Sequence, residues 1–69
     1  MTDAMTLAAA ASDRDPHVGL VAVAALRKLV DQLERVQVQR AREQGWSWAQ
    51  IAQDLGVTRQ ATYKKYGRR

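Results

Sequence analysis

The spacing of apolar residues predicts a long amphipathic helix. Apolar positions alternate in steps of four and three along the series Ala22, Leu26, Leu29, Leu33 and Val36. This spacing returns to one helix face and is typical of the heptad seam between paired helices. Asp15-Pro16 is a favourable helix start, and Gly45 can end the helix in a left-handed cap. We therefore predict one helix over residues 16–44.

Two short helices are predicted after it. Ser47 and Gln50 have the spacing of a capping box and indicate a helix over about 48–55. Thr58 can cap a further helix from residue 59 to about 66. Two helices joined by a three-residue turn containing glycine are typical of a helix-turn-helix, here over residues 47–67.

The segment that precedes the long helix is predicted to be a flexible, disordered N-terminal arm over residues 1–15. Its alanine run favours helix, but an isolated helix this short is marginal in water. The predicted fold is therefore all-α, with residues 16–69 forming a single helical domain. Within this domain, the long helix over residues 16–44 carries the apolar seam that is assigned to dimerisation below, and the helix-turn-helix over residues 47–67 follows it.

Composition excludes several classes of function. The chain has 69 residues, no Cys and a single His, His17, so neither disulfides nor a metal site are expected. The only serines are Ser12 and Ser47, and no Gly-rich phosphate loop is present, so we expect neither an enzyme nor a cofactor. The longest uncharged run is too short to span a bilayer, and no signal peptide is visible, which favours a cytoplasmic protein.

The basic residues are concentrated towards the end of the sequence. Residues 55–69 contain five basic residues and no acid, within a chain of net charge +4. Such a cluster indicates a polyanionic partner, or else a solvated tail. On the last predicted helix, Arg59, Gln60, Tyr63 and Lys64 fall on one side, whereas Thr62 and Tyr66 face inward. Arg and Gln can read base edges, and Lys and Tyr can hold phosphates, so duplex DNA is the predicted partner.

The stretch from Gly45 to Tyr66, GWSWAQIAQDLGVTRQATYKKY, resembles a bacterial helix-turn-helix. It is similar to the homeodomain-like type found at the DNA-binding ends of resolvases and invertases and in small actinobacterial regulators. The resemblance covers residues 41–67. It implies turn-core roles for Ala52, Gly56 and Val57, and DNA-facing roles for Thr58, Arg59, Gln60, Tyr63 and Lys64. The sequence departs from the family where an aliphatic residue is usual late in the recognition helix, because Thr62 and Lys65 stand there.

Two further sets of residues complete the predicted site. Arg68 is predicted to reach the minor groove, with a solvated tail as the alternative. The apolar stripe of the long helix is too large to leave exposed on a monomer, so a homodimer is predicted. Its seam consists of Val18, Ala22, Leu26, Leu29, Val30 and Leu33. The alternative is a monomer in which residues 1–11 cover the stripe, and the seam leaves open whether the two helices run parallel or antiparallel.

The function predicted from these features is a sequence-specific transcriptional regulator. A homodimer would bind an inverted-repeat site, since two recognition helices match half-sites about 34 Å apart. Repression is the expected mode, at the nucleoid, without a small-molecule effector or a membrane. The alternative is a protein-interaction adapter whose long apolar helix binds a transcription or toxin-like partner.

Overall fold

The computed structural model describes residues 3–67, which are helical and contain no strand. Its elements are α1 (Ala4–Ala11), α2 (Pro16–Glu43), α3 (Trp48–Leu55) and α4 (Arg59–Thr62), and α4 continues directly into a π-helical segment, Tyr63–Gly67. The predicted all-α architecture, in which a long helix precedes a helix-turn-helix, is therefore confirmed.

The chain divides into two compact units between Leu33 and Glu34, within α2. The N-terminal unit contains α1 and the first part of α2, and the C-terminal unit contains the remainder. The boundary predicted from the sequence, between residues 15 and 16, is of a different kind. Helix-start signals show where the backbone enters a helix, whereas a compact unit is defined by which side chains pack together.

Within the N-terminal unit, the segment expected to be a disordered arm is helical from Ala4 to Ala11. Asp3 caps this helix, because its side chain accepts a hydrogen bond from the backbone N–H of Met5. The cap and the alanine run provide the local reason for the helix. Its last carbonyl, that of Ala11, lies beside Gly19 of α2, at an ordinary contact distance from where a Cβ would stand.

The boundaries predicted for α2 are confirmed to within one residue. At its start, the Asp15 side chain accepts a hydrogen bond of 3.0 Å from the backbone N–H of His17. At its end, Gly45 has a φ of 85°. The N–H of Trp46 reaches the carbonyl of Ala41, and that of Gly45 reaches Arg42. This pair of hydrogen bonds is a Schellman motif, which satisfies carbonyls that the helix end would otherwise leave free.

The capping box predicted for α3 is present. The N–H of Gln50 donates to Ser47 Oγ at 3.1 Å, and the N–H of Ser47 donates to Gln50 Oε1 at 2.9 Å. The helix ends at Gly56, whose φ of 73° lies in the left-handed region that a side chain disfavours. The start of α3 and the turn into α4 are therefore determined by residues close in sequence, namely Ser47, Gln50 and Gly56.

The last helix differs from the prediction, because only Arg59–Thr62 is α-helical and Tyr63–Gly67 is π-helical. In a π-helical turn the backbone is wider than in an α-helix. Both side chains that follow Lys64, those of Lys65 and Tyr66, bond to the carboxylate of Glu34 on α2. The prediction of a regular α-helix from residue 59 to 66 did not take these two bonds to Glu34 into account.

The core of the C-terminal unit is small and consists of Val38, Ile51, Ala52 and Thr62. The inward orientation predicted for Thr62 is confirmed, since it is 2% exposed. Val57 was expected to fill the core at the turn, but its side chain is 50% exposed. Val57 lies in the exposed turn between the end of α3 and the start of α4.

Candidate nucleic-acid interface

Thr58 fixes the start of α4 through three hydrogen bonds. Its Oγ1 accepts from the N–H of Ala61 at 3.0 Å, and its carbonyl accepts from both the N–H and the hydroxyl of Thr62. Thr62 is thereby buried without an unsatisfied hydroxyl. Buried Thr62 anchors one side of α4, so the opposite side is available for contact with another molecule.

The four side chains predicted to face DNA along this helix are all exposed. They are Arg59, Gln60, Tyr63 and Lys64. The structure therefore brings together one guanidinium, one amide, one phenol and one ammonium on α4 and the segment that follows it. These are groups that bind base edges and phosphates, and they share no acidic neighbour in the sequence from residue 55 onward.

Tyr63 is held in place by two neighbours. Its ring lies edge-on to that of Trp48, with centroids 5.8 Å apart and planes at 82°. A side chain on Gly67 would overlap the Tyr63 ring, so the absence of one allows the ring to lie against the backbone there. Because an edge-to-face pair is a favourable aromatic geometry, these contacts restrict Tyr63 before any ligand is bound.

Arg42 connects α2 to the start of α3. Its Nη1 donates to the carbonyl oxygen of Trp46 at 2.7 Å, and its guanidinium carbon lies 4.4 Å from the centre of the Trp48 ring. This is a cation–π contact as well as a hydrogen bond. Trp46 and Trp48 are half-buried, and Trp48 contacts both Arg42 and Tyr63.

Glu34 organises the end of the recognition helix. Its Oε2 accepts from Lys65 Nζ at 2.9 Å and from the Tyr66 hydroxyl. The ammonium of Lys65 also lies 5.3 Å from the centre of the Tyr66 ring. Burial, followed by the hydrogen bond to Glu34, raises the pKa of Tyr66 above its usual value of 10.0. Lys65 thus occupies the position of the usual aliphatic residue by pairing with Glu34.

Sequence reasoning did not assign a role to Glu34, Arg42 or Trp48 in supporting the site. Glu34 precedes Lys65 by 31 residues, a separation at which no helical periodicity relates two positions. The signal available in the sequence was an acid on the long helix that precedes a basic segment. Arg42 and Trp48 carried a weaker signal, as a cation and an aromatic residue on either side of a predicted turn.

The C-terminal unit has a positive charge over residues 34–67. It contains three acids, Glu34, Glu43 and Asp54, and twice as many Lys and Arg residues. One of these acids, Glu34, is committed to Lys65 and Tyr66. The charges that face outward along α4 and its continuation are therefore positive, which favours a polyanionic ligand.

The residues predicted for dimerisation lie in α2. Val18, Val30 and Leu33 are exposed, Leu26 and Leu29 are half-buried, and Ala22 is 4% exposed. Ala22 is therefore already covered within one chain, and the exposed members of the seam supply most of the area for a partner. Arg68, the remaining predicted residue, lies outside the described residues.

Two further classes of site are absent from residues 3–67. No helix there combines the length and apolar character needed to cross a bilayer. Within the same range, no group of three or more potential metal ligands comes together.

Comparison with known families agrees with the helix-turn-helix arrangement of α3 and α4. A family model described as a homeodomain-like domain matches residues 29–66, which is more than half of the chain. The chain belongs to the homeodomain-like family. It is a small helix-turn-helix protein of the DNA-binding kind, as the resemblance over residues 41–67 implied. Searches of curated proteins and of solved structures gave no match.

Proposed function

We propose that this homeodomain-like protein is a sequence-specific transcriptional regulator that binds duplex DNA through α4 and its π-helical continuation. The observation that carries the proposal is the exposure of Arg59, Gln60, Tyr63 and Lys64 along a helix whose Thr62 is buried. A helix that is anchored on one side and polar on the other suits insertion into the major groove, which is wide enough for an α-helix.

The four side chains take different roles in this proposal. Arg59 can donate two hydrogen bonds to a guanine, and Gln60 can form a bidentate pair with an adenine. Tyr63 and Lys64 contact phosphates, which set the register of the helix without reading sequence. Thr58 belongs to the same face, although its Oγ1 already caps α4, so only its hydroxyl proton is available to a phosphate.

The proposed active species is a homodimer on an inverted-repeat site. The support is the exposed apolar surface of α2, where Val18, Val30 and Leu33 lie in solvent on a single chain. Covering such a surface is favourable, and a two-fold symmetric dimer matches a palindromic operator. Repression by occupying the polymerase's site requires only the exposed face of α4 and the apolar surface of α2, and we propose it as the mode of action. The proposed location is the nucleoid of a bacterial cytoplasm.

The experiment compares two arginine variants by fluorescence anisotropy. A site is first selected from a randomised duplex pool, and binding is then measured on that site and on a scrambled duplex. Arg59→Ala should weaken binding to the selected site by about 1–3 kcal/mol, or roughly 5- to 150-fold, and should reduce the preference over the scrambled duplex.

Arg27→Ala is the matched control, because it removes the same charge from an exposed position in the N-terminal unit. We expect it to change affinity less than about twofold, as surface charges away from the interface contribute little. Equal losses in the two variants would contradict a readout by Arg59. Absence of binding even at low salt would reject DNA as the ligand and favour the adapter function through α2.

A further inference from the structure

Tyr63 is exposed, and yet its ring is held by two neighbours. The residue is 47% exposed, on the face proposed to meet DNA. Its ring stands at 82° to that of Trp48, with 5.8 Å between the two centroids, which is an edge-to-face pair. The backbone of Gly67 also lies against the ring, so close that a Cβ there would overlap ring carbon atoms. Exposed side chains otherwise change rotamer within nanoseconds, so these two contacts restrict a side chain that would be mobile without them.

Trp48 is itself fixed by a residue of α2. The guanidinium carbon of Arg42 lies 4.4 Å from the centre of the Trp48 ring, and Nη1 of Arg42 donates to the carbonyl oxygen of Trp46 at 2.7 Å. The hydrogen bond ties the guanidinium to the backbone, so the cation–π contact holds the Trp48 ring in a defined place. Arg42, Trp48 and Tyr63 thus form a continuous row within the C-terminal unit.

Gly67 is explained by the space that the Tyr63 ring needs. The glycines with a positive φ are Gly45 and Gly56, and Gly67 is not one of them, so its backbone conformation does not require glycine. Glycine also loses more conformational freedom in a helical turn than alanine does. The neighbour that a methyl group at this position would displace is the Tyr63 ring. The glycine therefore completes the seat of that ring.

We propose that Trp48 and Gly67 are positioning residues, which hold the Tyr63 ring so that its hydroxyl is already placed for a DNA phosphate. A side chain that is ordered before binding loses less conformational entropy when the complex forms. A fixed phosphate contact also sets the register of the recognition helix on the duplex. This inference rests on the proposed DNA binding and names the residues that act through Tyr63.

A double-mutant cycle on the selected duplex tests the role of Trp48, with fluorescence anisotropy of the labelled DNA at one salt concentration. Trp48→Leu should weaken binding about two- to tenfold, the range expected for ordering one side chain. In a Tyr63→Leu background the same substitution should have almost no further effect, because Trp48 acts through Tyr63. Trp48→Phe keeps an aromatic partner and should recover most of the affinity. A general weakening of the fold would not depend on residue 63 in this way.

Gly67→Ala perturbs the same ring without altering Trp48. The added methyl group displaces the Tyr63 ring, so binding should again weaken about two- to tenfold, and only when Tyr63 is present. Gly19→Ala is the matched control, because a Cβ there would meet its neighbours at ordinary contact distances. It should leave affinity within about twofold of wild type. Circular dichroism and urea unfolding check that each variant is folded.

Nuclear Overhauser effects in the DNA-free chain test the positioning itself. Cross-peaks between the ring protons of Trp48 and Tyr63 are expected in wild type and should weaken in Gly67→Ala. Their absence from the folded wild-type chain would overturn the inference without bearing on DNA binding. An equal loss of affinity from Trp48→Leu with and without Tyr63 would also overturn it. Failure of the wild-type chain to bind DNA would instead reject the proposed function, and this inference with it.

Discussion

The two units of this chain differ in how far their helices are stabilised by capping and by burial of apolar side chains. The C-terminal unit uses a capping box at Ser47, a left-handed Gly56 and a buried cluster around Ile51. The N-terminal unit buries Ala22 but leaves Leu33 56% exposed. The C-terminal unit buries Ile51 and Ala52 and presents polar side chains along α4, whereas the N-terminal unit leaves most of its large apolar side chains on α2 exposed. That difference is the reason for proposing that one unit binds DNA and that the other self-associates.

The largest effect is expected for Leu29→Glu, which was chosen to break self-association. In the proposed dimer this carboxylate would be buried without a partner, at a cost of about 3–5 kcal/mol. Association should weaken by more than about 100-fold. Sedimentation equilibrium of the wild-type and variant chains measures this directly. Arg27→Ala is the control, and an unchanged mass for Leu29→Glu would rule out the proposed seam.

A second prediction concerns the core of the C-terminal unit. Ile51 is 3% exposed, so Ile51→Ala should reduce the free energy of unfolding by about 2–5 kcal/mol through lost burial and a residual cavity. Leu55→Ala, on the same helix but 38% exposed, should cost clearly less. Urea unfolding followed by circular dichroism compares the two. Similar losses would mean that the buried cluster does not hold this unit together.

The smallest effect concerns Tyr66 and pH. Its pKa is raised in the folded chain, mainly by burial and then by the hydrogen bond to Glu34. The folded state therefore holds the phenol proton more tightly than the unfolded state. The associated stability is complete below pH 10 and is lost as pH rises through the folded pKa. Urea unfolding between pH 8 and pH 11 should show a steeper decline for wild type than for Tyr66→Phe, and parallel profiles would contradict this.

Much of the fold could be predicted because its signals are local. Ser47, Gln50, Gly56 and Thr58 each specify the backbone within a few residues, and the structure uses all four as expected. The helix α1 was missed because its alanine run was judged insufficient without packing, and because its cap at Asp3 was not recognised. Local chemistry therefore predicts where helices start and stop more reliably than it predicts whether a marginal helix forms.

The exposed side chains of the candidate site could be predicted from the sequence, whereas the contacts that hold α4 against α2 could not. Exposure of Gln60 and Lys64 follows from helical periodicity once Thr62 is placed inward, because each lies two positions from Thr62 and points away from it. Arg59, three positions before Thr62, is exposed without following from that pattern. The attachment of Lys65 and Tyr66 to Glu34 depends on how α2 packs against the recognition helix, and a one-dimensional pattern carries no such information. The π-helical turn was missed for the same reason.

The most direct test of this division of labour is nuclear magnetic resonance of the uniformly ¹⁵N-labelled chain during titration with its selected duplex. The account predicts that amide shifts concentrate on residues 58–64, while those of residues 18–33 change little. Shifts concentrated on residues 18–33, with residues 58–64 unchanged, would contradict it, because the apolar helix would then be the surface that meets DNA.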